Sequence, residues 1–128
     1  MVVAGLVLAG IAAIVHIFIF YLESIAWTSE RARSTFGTSP EEARTTKELA
    51  FNQGFYNLFL AILVIVGIVL FARGAAVAGA TLVFAGAGSM AAAALVLLIS
   101  SPDKAAAALK QGVVPALAVI ALAVGLAL

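Results

Sequence analysis

Cysteine is absent from the 128-residue chain, which excludes disulfide bonds, thiolate metal sites and a cysteine nucleophile. Charge is also scarce, because only 10% of the residues are Asp, Glu, Lys or Arg, against about a quarter in a typical soluble domain. The formal net charge of +1 is too small and too dispersed to indicate a nucleic-acid partner. We therefore expect no nucleic acid, no metal and no cofactor.

The chain is rich in long apolar runs. Of its residues, 65% are hydrophobic, and its mean hydropathy is +1.22. A helix needs roughly 20 apolar residues to cross the hydrocarbon layer, and four such spans fit, at about 2–26, 47–72, 75–99 and 106–127. A soluble bundle would show polar stripes, and LVFAGAGSMAAAALVLLI has none. The sequence predicts one all-α domain over residues 1–128, an integral membrane four-helix bundle with short connections.

The first span does not resemble a cleaved signal peptide. It lacks a basic segment before the apolar run, and it carries His16 and Glu23, which a disposable signal does not need. We expect this span to be retained in the protein.

Lysine and arginine are concentrated in two of the three connections. Arg31, Arg33, Arg44 and Lys47 lie in the first, Lys104 and Lys110 in the third, and Arg73 alone in the second. The positive-inside rule then predicts that residues 27–47 and 100–111 are cytoplasmic and that both termini lie outside.

Two Ser-Pro sequences mark predicted helix starts. Ser39–Glu42 has a serine N-cap, proline at the first helical position and glutamate at the third, which is a capping box. The second helix is therefore predicted to begin near Pro40 and to extend into the cytoplasm. Ser101–Asp103 predicts the same kind of start for the fourth helix, and Pro115 predicts a bend within it.

Polar residues inside the first two spans form the candidate site. On the first helix, His16, Phe20, Glu23 and Trp27 share one face; on the second, Glu48, Asn52 and Tyr56 form a stripe, with Gln53 and Asn57 roughly 100° further round. The two sets match in depth, so we expect Glu23 to face Asn52 or Gln53, and His16 to face Tyr56 or Asn57. Ionisable residues at membrane depth indicate a functional site, although interhelical hydrogen bonding is the structural alternative.

Some of these residues have simpler interpretations. Glu48 can pair with Arg44 four residues earlier, and Trp27 has the character of an interfacial residue. Phe36, in a polar connection, either returns to the interface or covers the cleft. A metal site of His16, Glu23 and Glu48 lacks the usual ligand spacing and is a weak signal.

The segments HIFIFYLESIAW, RSTFG, NQGFYNLFLA and KQGVVPAL resemble the small bacterial membrane proteins grouped as domain of unknown function 1304, over nearly the whole chain. The resemblance implies a four-span protein of a bacterial inner membrane. It brings no activity, but it implies signature positions at His16, Glu23, Trp27, Asn52, Gln53, Gly54, Tyr56, Asn57, Gln111 and Gly112. It also implies that Gln111 closes the site from the fourth helix.

Three functions are compatible with this pattern. The first is binding, or proton-coupled transport, of a small amphipathic organic molecule by His16, Glu23, Trp27, Glu48, Asn52, Gln53, Tyr56, Asn57 and Gln111. The second is an intramembrane enzyme such as a lipid or isoprenoid isomerase, with His16 and Glu23 as an acid-base pair and Tyr56 as a hydrogen-bond donor. The third is a structural partner of another membrane protein. The sequence is also compatible with a homo-oligomer in the lipid bilayer.

Overall fold

A computed structural model describes all residues, 1–128, as helices joined by short connections, with no strand. Helix α1 (Val2–Phe20) continues into a π-helical turn (Tyr21–Ile25). The first connection, residues 26–46, contains α2 (Glu30–Phe36) and α3 (Pro40–Thr45). Then come α4 (Lys47–Ala72), α5 (Ala76–Ser100), a 3-10 turn (Pro102–Lys104) and α6 (Ala105–Ala127).

The predicted all-α class and the four apolar helices are confirmed. The segments long and apolar enough to cross a membrane are Val2–Ile25, Lys47–Ala72, Ala76–Ser100 and Pro102–Ala127. Around the bundle the helices follow the order α1, α4, α5, α6, with α6 returning to α1. The arrangement suits a membrane helical bundle.

Small side chains fill the centre of the bundle. The core consists of Ala9, Ala12, Ala13, Ala61, Val64, Val83, Ala87, Met90, Ala118 and Leu122. Because lipid tails are as apolar as leucine, the hydrophobic effect contributes little to the association of helices inside a membrane. Close packing of small residues contributes more. The alanines let the backbones approach closely.

The capping box predicted at Ser39 is present. The Ser39 hydroxyl accepts a hydrogen bond from the Glu42 amide at 3.1 Å, and the Glu42 carboxylate accepts one from the Ser39 amide at 3.4 Å. A helix therefore begins at Pro40 as predicted, but it is interrupted at Thr46 before α4 starts at Lys47. The second predicted helix consists of two helical segments.

The predicted serine cap of the fourth helix is wrong. Ser101 makes no side-chain cap and has φ −139° and ψ 75°, whereas Ser39 is extended with φ −73° and ψ 161°. In that different backbone conformation the chain makes a 3-10 turn over Pro102–Lys104 before α6 begins. Pro115 lies buried inside α6, which continues on both sides of it.

Helix α2 was not predicted from the sequence. The Ser29 side chain caps it by accepting a hydrogen bond from the Ala32 amide at 3.2 Å, and Gly37 ends it with φ 66°, a left-handed conformation that glycine adopts without strain. A serine before the helix and a glycine after it are signals that the sequence does contain.

Candidate functional site

A cavity of about 690 Å³ lies between the four long helices, at the end of the bundle covered by the first connection. The four long helices and the first connection all contribute residues to its wall. Of the nine residues predicted to bind a ligand, eight line the cavity: His16, Glu23, Trp27, Asn52, Gln53, Tyr56, Asn57 and Gln111. Residues far apart in the sequence therefore meet at one place.

Two glutamates line the cavity: Glu42 belongs to the first connection, and Glu23 lies within the first membrane-spanning segment. It lies in the π-helical turn, where the Ala26 amide donates to the Tyr21 carbonyl five residues back at 3.0 Å. Such turns are rare and occur frequently at functional sites, because they change the direction of side chains within a helix. One oxygen of Glu23 accepts a hydrogen bond of 2.7 Å from the Asn57 side-chain amide. The other carboxyl oxygen accepts no hydrogen bond from the protein.

The predicted pairing of Glu23 with Asn52 or Gln53 is wrong, since its partner is Asn57. The backbone of α4 approaches Glu23 at Gly54, where an added Cβ atom would lie 3.1 Å from the Glu23 Cβ. Helical side chains lean toward the N-terminus of their helix. Because α1 and α4 run in opposite directions, the side chains of Glu23 and Asn57 lean toward each other along the bundle. They can therefore bond although their Cα atoms lie at different depths, and a comparison of Cα depths alone predicts the wrong partner.

His16 is buried, with only 2% of its surface exposed, and it also lines the cavity. Its Nδ1 lies 2.9 Å from the Ala12 carbonyl oxygen, so Nδ1 acts as the donor and Nε2 remains as an acceptor. The predicted contacts of His16 with Tyr56 or Asn57 are not among the hydrogen bonds. His16 and Glu23, predicted as an acid-base pair, do not hydrogen-bond to each other; each has its own partner.

Glu48 does not reach the cavity, contrary to the prediction. Its side chain is exposed, and it forms no ion pair with Arg44, because the only salt bridge joins Lys104 to Glu42 at 4.0 Å. The reason is helical geometry: residues four apart turn about 40° on each step, so Glu48 points roughly 80° away from Tyr56. The metal-ligand set of His16, Glu23 and Glu48 is therefore not brought together.

Three amides occupy the outer part of the wall. Asn52 and Gln53 are exposed, and the Asn52 side chain donates to the Glu48 carbonyl of its own helix at 3.1 Å. Gln111 contributes the amide of α6, as the family resemblance implied. Tyr56 is 65% exposed and makes no hydrogen bond within the protein.

The first connection covers the cavity through two aromatic side chains. Trp27 packs on Phe36 with ring centroids 5.3 Å apart, and both line the cavity. The Trp27 indole N–H donates to the Thr46 hydroxyl at 3.1 Å, at the point where α3 ends and α4 begins. Phe36 thus covers the cavity, one of its two predicted roles, and Trp27 faces the interior rather than only the membrane interface.

Lys104 bonds to the first connection and holds it over the cavity, a role that the sequence analysis did not identify. Its ammonium group donates to the Phe36 carbonyl at 3.1 Å and to the Gly37 carbonyl at 3.0 Å, and it lies 4.0 Å from the Glu42 carboxylate. Carbonyls at the end of a helix attract a cation. Nothing in the spacing of the sequence indicates this contact, because the partners are 67 and 68 residues apart.

The cavity also has an apolar wall and one unpaired hydroxyl that sequence analysis did not identify. Leu60, Met90 and Leu97 supply apolar surface from α4 and α5. Thr38 lines the cavity too, and its hydroxyl is buried with no hydrogen-bond partner. Buried polar groups are normally paired, so this hydroxyl is an exception in the wall of the cavity.

Comparison with known proteins gives a family but no function. The model of a family described as "Protein of unknown function (DUF1304)" matches residues 10–123. No curated protein and no solved structure matches the chain. The matched region includes all eight cavity residues named above.

Proposed function

Because this chain belongs to the DUF1304 family of proteins of unknown function, we propose its function from the cavity: it binds a small amphipathic organic molecule between its helices. The cavity volume of about 690 Å³ lies within the roughly 300 to 1,000 Å³ of pockets that hold small molecules. Such pockets combine apolar walls with a few placed polar groups, and this wall has both.

The observation that carries the proposal is Glu23. A carboxyl group inside a membrane-spanning helix is costly and indicates function by default. Asn57 holds one of its oxygens at 2.7 Å, while the second accepts no hydrogen bond from the protein. A ligand with a hydroxyl or amine group at its polar end would supply the missing donor.

The distribution of wall residues supports an amphipathic ligand. The amide groups of Gln53, Asn57 and Gln111 accompany Glu23 at the polar part, and Leu60, Met90 and Leu97 form an apolar surface. A wholly polar molecule would leave that apolar surface wet, whereas a hydrocarbon would leave the Glu23 oxygen unpaired, which costs about 1–3 kcal/mol. A molecule with one polar end and one apolar part satisfies both.

The proposed setting is the inner membrane of a bacterial cell, with the cavity on the cytoplasmic side. The first connection carries Arg31, Arg33, Arg44 and Lys47 and, with Lys104 and Lys110, gives that end of the bundle six basic residues against one at the other. The positive-inside rule supports this orientation. Both termini would then lie outside.

Proton-coupled transport extends this proposal, because Glu23 and His16 are titratable groups of the cavity wall. It predicts ligand uptake that changes between about pH 5 and pH 8 and loses this dependence in Glu23→Gln. If uptake changes neither with pH nor in Glu23→Gln, proton coupling is contradicted and only the binding function remains.

Native mass spectrometry of the protein, extracted from membranes in mild detergent, tests the binding proposal. We expect a retained small molecule on the native protein and on Glu48→Leu, because the side chain of Glu48 is exposed outside the cavity, and its loss from Glu23→Leu, which offers no acceptor at position 23. Equal occupancy in both variants, or no bound molecule in any of them, would contradict the proposal. A substrate and product pair would favour the isomerase instead.

A further inference from the structure

Helices α4 and α5 touch closely toward one end of the bundle. A Cβ atom on Gly79 would lie 2.7 Å from the Gly67 carbonyl oxygen, and one on Gly86 would lie 3.0 Å from the Leu60 carbonyl oxygen. Only glycine permits such approach, so the two backbones are in contact from these residues to the turn at 73–75.

The same two faces continue toward the other end of the bundle, beyond the contact of Leu60 with Gly86. In the direction away from the turn, the face of α4 that contains Gly67 carries, at spacings of three and four, Val64, Leu60, Tyr56, Gln53 and Leu49. The face of α5 that contains Gly79 carries, at the same spacings, Val83, Gly86, Met90, Ala93 and Leu97. Leu49 is 72% and Tyr56 65% exposed, although they lie on the face that is covered at the glycines. The helices therefore diverge toward the end that bears the first connection.

This divergence gives the cavity a side entrance. Leu49, Gln53, Tyr56, Ala93 and Leu97 all line the cavity and lie on the two diverging faces, and we call these five residues the lateral mouth. They belong to helices long and apolar enough to cross a membrane. In a bilayer the lateral mouth therefore faces lipid rather than water.

The opposite approach, from the water, is covered. The first connection lies over the cavity with Trp27 packed on Phe36, and Lys104 bonds to the carbonyls of Phe36 and Gly37. A ligand arriving from water would have to break these contacts, whereas one arriving from lipid would pass between Leu49, Ala93 and Leu97, whose side chains are apolar.

We infer that the ligand is a membrane-dissolved amphiphile that enters through the lateral mouth, its hydrogen-bond-donating head group reaching Glu23 and its hydrocarbon chain lying against Leu60, Met90 and Leu97. This inference rests on the proposed function and adds the source of the ligand. The ligand is drawn from the bilayer, and its chain points back toward lipid through the gap between α4 and α5.

The single tryptophan of the chain provides the readout, because Trp27 lines the cavity. The protein is reconstituted in phosphatidylcholine vesicles and mixed with vesicles that carry a long-chain alcohol brominated on the carbon next to the hydroxyl-bearing carbon, whose bromine quenches nearby indole fluorescence. The brominated alkane without the hydroxyl is the control for chain partitioning alone. The rate of quenching reports entry into the cavity, and its final extent reports binding.

Substitutions at two neighbouring positions of α5 distinguish an effect at the lateral mouth from a general effect of a larger side chain on this helix. Ala93 lies in the mouth and Ala92 is an exposed residue that does not line the cavity. We expect Ala93→Phe to slow quenching by about tenfold or more or to abolish it, and Ala92→Phe to leave it unchanged. Tyr56→Ala, which widens the mouth, should speed quenching, so the two mouth variants act in opposite directions.

The outcomes distinguish the two proposals. Quenching by the alcohol that is equally fast in the native protein, Ala93→Phe and Tyr56→Ala would overturn the lateral entrance while leaving binding intact. Absence of quenching by the alcohol beyond that by the alkane, in the native protein, would overturn the proposed function itself.

Discussion

The side-chain amide of Asn57 donates a hydrogen bond of 2.7 Å to the carboxyl group of Glu23, which lies 34 residues earlier in the chain. The bond joins α4 to the π-helical turn that follows α1. Asn57 is only 8% exposed, and its amide also lies 3.3 Å from the Gln53 carbonyl oxygen. The contact has a structural role in joining two helices, and it leaves one Glu23 oxygen for a ligand.

Asn57→Ala should lower the free energy of unfolding by about 1–3 kcal/mol, because it leaves the half-buried Glu23 carboxyl without its donor. Asn52→Ala is the matched control, since Asn52 is exposed and bonds only to the Glu48 carbonyl of its own helix. Unfolding of both variants in detergent micelles gives the comparison. Equal stability of Asn57→Ala and the native protein would show that the bond is not needed to hold α1 to α4.

Gly54→Ala should push α1 away from α4. Its Cβ atom would lie 3.0 Å from the Ser24 amide nitrogen and would press on the Ser24 hydroxyl, which now donates to the Phe51 carbonyl at 2.8 Å. Overpacking of this kind costs typically about 1–3 kcal/mol. Gly88→Ala is the control, because a Cβ atom there would meet nothing within 4 Å. Thermal unfolding should rank Gly54→Ala below the native protein and Gly88→Ala level with it or above it.

Lys104→Met should loosen the first connection, because the carbonyls of Phe36 and Gly37 lose their cation. Hydrogen exchange of the amides in residues 29–38 should rise, by about tenfold for each 1.4 kcal/mol of lost local stability. Lys47→Met removes a similar charge from an exposed side chain without an ion pair and should leave exchange unchanged. Unaltered exchange in both variants would mean that the aromatic contact of Trp27 with Phe36 holds the connection alone.

Hydropathy and residue spacing were sufficient to predict the all-α class and the four apolar helices. They also predicted that polar residues of the first two spans would come together, because polar side chains in a span are costly unless they meet other polar groups, and eight of the nine predicted residues line one cavity. His16, Glu23 and Asn57 lie within segments that are otherwise mostly apolar, and that contrast is visible in the sequence.

The pairing of these side chains could not be predicted in the same way. The π-helical turn at Glu23 and the interruption at Thr46 change the register of both helices, and neither has a clear sequence signal. Side chains that lean in opposite directions add a further shift. Glu48 was misplaced because a spacing of four drifts around the helix, and Lys104 was missed because its partners are remote in sequence.

The central claim is that Glu23 binds the polar end of a ligand, and a titration of Trp27 fluorescence tests it most directly. The same brominated long-chain alcohol is titrated into native protein, Glu23→Leu and Glu48→Leu. A leucine at position 23 has a similar size and offers no acceptor to the hydroxyl of the alcohol, whereas the amide of a glutamine could still donate a hydrogen bond to the hydroxyl oxygen.

We expect the dissociation constant of Glu23→Leu to rise by about tenfold, the equivalent of one hydrogen bond of about 1.4 kcal/mol, while Glu48→Leu binds as the native protein does. Equal dissociation constants for all three proteins, each shown to be folded by circular dichroism, would contradict the role assigned to Glu23.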